Sequence, residues 1–244
     1  MSDPSKSPSE QLPHEYDHRH SNVTGGWLRA ATFGAMDGLV SNTSLIAGVG
    51  AASVAPSTVV LGGVAGMVAG AFSMALGEYT SVQTQNEQID KEVRVERRAL
   101  RRNPTAEHAE LVAEFVEMGM SPQTAAAAAT EIGKDAEREL DVHITAELGI
   151  DPAAKPSPYV AAGSSFLMFS IGAVFPLIPY LLGFSSLAAG LAVGMLGLLL
   201  VGGLAAHLTA TPIVRGAIRQ LVLGAIAIGA TYAVGTLIDA GANI

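Results

Sequence analysis

Two long stretches of the chain carry almost no charge. Between Arg29 and Glu78 the only charged side chain is Asp37, and between Lys155 and Arg215 there is none. A helix needs ~20 apolar residues to cross a hydrocarbon core of ~30 Å. Five segments are long enough, at approximately 27–51, 58–82, 158–182, 185–207 and 215–239. The stretches "ASVAPST" at 51–57 and "LGFSS" at 182–186 have turn chemistry and are too short for anything but tight hairpins between antiparallel helices.

Residues 83–155 read differently, as polar helices. "SVQTQNEQIDKEVRVERRALRR" continues the second segment without a breaker up to Asn103-Pro104. Thr105 is placed to cap a second helix that Gly119 ends, and Ser121-Pro122 opens a third that weakens near Gly133 and runs on to "ELGIDP". Leu111, Phe115, Met118, Ile132, Leu140, Ile144 and Leu148 are its expected core. The pattern predicts an all-α polytopic membrane protein with five transmembrane helices and a helical module between spans 2 and 3. Its parts are a tail at 1–26, spans 1 and 2 within 27–82, the module at 83–155 and spans 3 to 5 within 156–244.

Composition agrees with this division. The chain is 49% hydrophobic and only 15% charged, where soluble domains carry about 25% charged residues. Of the 22 acidic residues 15 lie between Glu87 and Asp151, so the module holds most of the acid. With no cysteine, disulfides and thiolate chemistry are excluded, leaving carboxylates, His and Met as metal ligands. A net charge of -8 disfavours nucleic acid as a partner. The first 26 residues are polar and Pro-containing, which predicts a disordered tail and no cleaved signal peptide; its His14, His18 and His20 can bind a metal weakly. Arg19, Arg29, the Lys91–Arg102 run, Arg215 and Arg219 put the tail and the module in the cytoplasm and the C-terminus across the membrane. That arrangement is compatible with a bacterial plasma membrane.

The candidate chemistry starts with Asp37, about ten residues into the first span and so ~15 Å along it, near mid-membrane. A carboxylate there costs about 2.5 to 3.5 kcal/mol on insertion scales, which marks it as functional and turned toward a polar cavity. The other reading is a buried carboxyl hydrogen-bonded to Ser41, Asn42 or Thr43. On the second span Met74 and Glu78 share a face at i and i+4. A thioether one turn from a carboxylate moves metal preference toward later transition metals. In the module Glu107, Glu110, Glu114 and Glu117 share one helix side, Glu139, His143 and Glu147 form a second stripe, and Glu92 with Glu96 makes a third pair. Like charges so placed repel unless a cation sits among them. Small-residue seams, Gly62, Gly66 and Gly70 on the second span and Gly190 and Gly194 on the fourth, permit close packing within one chain or between two. Glu-x-x-His and H-E-x-x-H spacings occur only as "HEYDH" at 14–18, inside the tail read as disordered and not on a helix, and nucleotide phosphate loops and a nucleophile elbow are missing, so the sequence does not read as an enzyme.

Three stretches, "DGLVSNTSLIAGVGAA", "AGAFSMALGEYTSVQTQ" and "ELGIDP" followed by "FSIGAVFPLIPYLL", resemble the vacuolar iron transporter family. The resemblance implies five spans, a cytoplasmic N-terminus, a cytoplasmic metal-binding domain and a homodimer with the ion path at the subunit interface. It also implies exchange of Fe²⁺, and often Mn²⁺, for protons, with no prosthetic group. Carried over, the pathway residues are Asp37, Met74 and Glu78, and the domain's glutamates are Glu96, Glu107, Glu110 and Glu147. Ala99 stands where a further glutamate is expected, and His143 with Ile144 stands where plant-like relatives carry a Met pair. His143 then joins the ligand set, with Glu114, Glu117 and Glu139 in reserve. The expected function is a proton-coupled divalent metal exporter; the rival is a membrane-anchored metal buffer or sensor in which only the module's carboxylates matter.

Overall fold

The computed structural model describes residues 26–52, 54–149 and 155–242. The tail with His14, His18, Arg19 and His20, residues 150–154 with the end of "ELGIDP", and the side chain of Leu148 lie outside the described residues. The described residues form helices α1 (Trp27–Ala51), α2 (Pro56–Arg102), α3 (Pro104–Glu117), α4 (Pro122–Ile132), α5 (Ala136–Leu148), α6 (Pro158–Val174), α7 (Ile178–Leu181), α8 (Leu187–Leu208) and α9 (Ile213–Ala242), with no strand among them.

Among the described residues four helical stretches are long and apolar enough to cross a membrane: Pro56–Arg102, Pro158–Leu181, Leu187–Leu208 and Ile213–Gly241. Over its 25 residues α1 is more polar, for a reason that its position explains. It runs through the middle of the bundle, packed against α2, α6, α8 and α9. Three of its polar groups therefore face protein instead of lipid: Asn42, Thr43 and Ser44 are buried. The third expected span is not one continuous α-helix. Phe175–Leu177 forms a 3₁₀ turn between α6 and α7, because Pro176 and Pro179 each remove a backbone donor.

The α1–α6 contact depends on missing side chains. A Cβ added at Gly38 would stand 2.2 Å from the carbonyl oxygen of Phe169, and one at Gly172 would stand 2.3 Å from that of Ala35. Gly66 and Gly70 meet Leu45 and Phe169, and Gly194 meets Thr43, so these members of both glycine seams pack within the chain. Gly172→Ala is expected to destabilise the bundle by about 1–3 kcal/mol, since backbone cannot yield as a side chain can. Thermal unfolding in detergent checks this.

Beyond the bundle α2 continues unbroken to Arg102, where the bias of a residue before proline ends it at Asn103. Thr105 does not cap α3; the helix starts at Pro104, with Asn103 in the cap position making no side-chain bond. Gly119, at φ 100, closes α3 as Met120 N–H donates to Phe115 C=O. Ser121 caps α4 by accepting from Thr124 N–H. At Gly133 the expected third helix breaks in two, and Asp135 caps α5 by accepting from the N–H groups of Glu137 and Arg138. Leu111, Phe115, Leu140 and Ile144 are buried as the pattern indicates. Met118 is 58% exposed instead, because it lies past the last turn of α3, and the buried Ala125 and Ala129 of α4 fill that space. Ion pairs Arg97–Glu137 and Lys155–Asp90 tie α5 and the return strand of chain to α2.

Candidate metal sites

Two places gather the candidate residues, one within the bundle and one outside it. The first is a cavity of about 370 Å³, lined by Asp37 and Ser41 of α1, Ser73, Met74 and Glu78 of α2, and Phe169 of α6. Gly66, Gly70 and Gly77 also line it; a Cβ at Gly77 would meet open space, whereas one at Gly66 or Gly70 would meet Leu45 or Phe169. Asp37, half-buried, accepts a hydrogen bond of 2.8 Å from Ser41 Oγ. The other two partners considered for it are engaged elsewhere: Asn42 donates to Ala173 C=O and Thr43 to Leu39 C=O. Asp37 therefore keeps acceptor capacity toward the cavity. Met74 packs against the core of Ala71, Phe169 and Ala173 beside it. A larger cavity of about 500 Å³ between α1 and α9 has no titratable group on its walls.

Glu78 is 9% exposed and ion-paired with Arg29, which lies in the first turn of α1. The pairing spans 49 residues, and nothing in the local sequence signals it. Arg29 reads in the sequence only as an orientation charge.

The second place lies where α2, α3 and α5 meet. Ligand atoms of Glu96, Glu107 and His143 all lie within 4.8 Å of one another. Glu96 and His143 are 9% and 2% exposed. His143 Nδ1 stands 3.3 Å from Glu96 Oε1, while that oxygen and His143 Nε2 are buried without a hydrogen-bond partner. Buried polar atoms without partners are rare and call for an explanation; two carboxylates and an imidazole suit a first-row divalent ion. Burial, followed by repulsion from Glu147, Glu107 and Glu110, pushes the Glu96 carboxyl up to about 7. Burial first, then repulsion from Glu110, Glu107 and Glu114, also raises Glu147, against a lowering pull from His143. The five module candidates Glu96, Glu107, Glu110, His143 and Glu147 thus share one electrostatic neighbourhood, with Glu114 at its edge. Of the other two, Glu139 has its carboxylate close to Gly133, where a Cβ would stand 3.2 Å from Oε1, and Glu117 is exposed at the end of α3.

The raised carboxyl fixes a pH dependence. Between its ordinary 4.5 and about 7, Glu96 holds a proton in the fold that the unfolded chain has lost. The metal-free fold therefore gains stability as pH falls through that window. Metal binding goes the other way, since the ion must displace that proton. Affinity at the cluster is expected to fall by up to about tenfold per pH unit below about pH 7. Mn²⁺ titrations of the full chain over that range measure it.

A helical membrane protein with a carboxylate-lined cavity in its bundle and an acidic, His-bearing cluster on an extension of one bundle helix belongs to the class of metal-handling integral membrane proteins. Residues 28–236 match the VIT family, and the chain is a member of it. It is 35% identical to a vacuolar iron transporter of Acanthamoeba castellanii over 90% of this chain and 82% of that one. It is 33% identical to vacuolar iron transporter homolog 3 of Arabidopsis thaliana (89% and 86% covered). Against vacuolar iron transporter 1 of Tulipa gesneriana the identity is 29%, with 92% of each covered. The family consists of transporters, and the chain is not an enzyme.

Proposed function

We propose that this protein is a proton-coupled transporter of Fe²⁺, and of Mn²⁺, that moves metal out of the cytoplasm. The observation that carries the proposal is the cavity uniting Asp37, Met74 and Glu78, in a chain whose relatives bear the name of iron transporters. In this reading α1, α2, α6 with α7, α8 and α9 are five spans, the N-terminus and the module are cytoplasmic, and two copies pair. A second copy set against α1 and α2 would close the open side of the cavity. The expected bacterial plasma membrane gains no support from relatives named for a vacuole, so only the orientation is carried forward.

Metal is gathered by Glu96, Glu107, Glu110, His143 and Glu147. It then travels the 18 residues from Glu96 to Glu78, roughly 27 Å along α2 at 1.5 Å per residue. Glu78 and Met74 receive it, and Asp37 holds it in the bundle. A carboxylate in such a place binds either a cation or a proton, and each displaces the other. Protons entering from the far side release the metal there, which makes the two fluxes opposite and linked.

The test is uptake of Fe²⁺, Mn²⁺ and Zn²⁺ into proteoliposomes under an imposed pH gradient. Selective, gradient-driven uptake of Fe²⁺ or Mn²⁺ supports the transporter. Metal binding to the folded chain without flux supports a buffer or sensor in its place.

A further inference from the structure

We infer that Arg29 is a displaceable latch on the mouth of the cavity: its guanidinium occupies the Glu78 carboxylate until a divalent cation takes that place. The inference rests on the reading of Glu78 as a metal ligand of the path. Three observations carry it. Glu78 and Arg29 are ion-paired, and Glu78 lines the same cavity as Asp37 and Met74. The Glu78 side chain is 10% exposed, so leaving it ionised and unpaired is costly. The Arg29 side chain is 65% exposed, so on release it returns to water at little cost.

Guanidinium and metal compete for the same carboxylate oxygens. A monovalent alkali ion has no advantage over a hydrogen-bonding guanidinium, whereas a divalent ion gains about twice the Coulomb energy at equal distance. The latch therefore keeps the mouth neutral when no metal is present and admits divalent ions in preference to Na⁺ or K⁺. It lowers apparent metal affinity as the cost of that selectivity.

Trp27 is the only tryptophan and lies two residues from Arg29, so Mn²⁺ quenching of its fluorescence reports metal at the mouth. The full chain in detergent is titrated with Mn²⁺, and Fe²⁺ uptake into proteoliposomes is measured against metal concentration. Arg29→Gln is expected to tighten the apparent Mn²⁺ Kd and lower the transport KM by about three- to tenfold, the scale of a partly exposed ion pair. Arg29→Lys keeps the charge and is expected to stay near the parent. Glu78→Gln is expected to remove the quenching. An unchanged or weaker Kd in folded Arg29→Gln, or quenching that survives Glu78→Gln, overturns the latch. A pair that only clips α1 to α2 would lower thermal stability in Arg29→Gln without tightening Kd, and that also overturns it. Asp37→Asn, run in parallel, separates the two ideas. Flux retained there defeats the antiport reading while the quenching still decides the latch.

Discussion

Asp37→Asn is expected to abolish metal flux driven by a pH gradient, by roughly a hundredfold or more. The amide has nearly the shape of the carboxylate and can still accept from Ser41 Oγ, so the fold and the packing of α1 stay as they are. What is lost is the charge. In a cavity partly removed from water, one full charge on a divalent cation contributes several kcal/mol, which corresponds to two or more orders of magnitude in occupancy. The amide also cannot take up a proton in exchange, so coupling fails even if some metal enters. Initial uptake rates in proteoliposomes, with size-exclusion profiles showing that the variant folds, measure this. Uptake at the parental rate would refute the role given to Asp37.

The second expectation concerns the cluster outside the bundle. His143→Ala is expected to weaken metal binding there on the order of 10- to 100-fold, by removing the only imidazole of the set and leaving Glu96 facing a void. Glu96→Gln also weakens it, but carries a different signature. Its neutral amide relieves the burial and repulsion that raise the carboxyl to about 7, so the metal-free fold becomes more stable above that pH. Calorimetric titration with Mn²⁺ and thermal unfolding of the metal-free full chain separate the two variants. Equal metal affinity in all three proteins would place the metal elsewhere in the module.

Much of this arrangement is legible in the sequence because lipid enforces simple rules. An uncharged stretch with one carboxylate singles out Asp37, and the i, i+4 spacing puts Met74 and Glu78 on one face of α2. The glutamate stripes identify the faces of α3 and α5 that meet α2. Where the sequence is silent, the cause is distance along the chain. Arg29 meets Glu78 across 49 residues, and no local period records that. The central position of α1 also depends on how the other helices surround it, which explains why its polar residues are cheap to bury. Local geometry accounts for the rest. Met118 falls outside the core because α3 has already ended, α4 and α5 are separate because Asp135 caps a new helix, and Glu139 turns toward Gly133 instead of the cluster.

The two fluxes belong in a single experiment. Vesicles carrying the protein, loaded with a pH-sensitive dye and a metal-sensitive dye, report proton and Fe²⁺ movement together. Antiport through Asp37 predicts that each metal ion entering is matched by protons leaving in a fixed ratio, and that reversing the pH gradient reverses the metal flux. Metal entry at a rate indifferent to the pH gradient, with no accompanying proton movement, would contradict it.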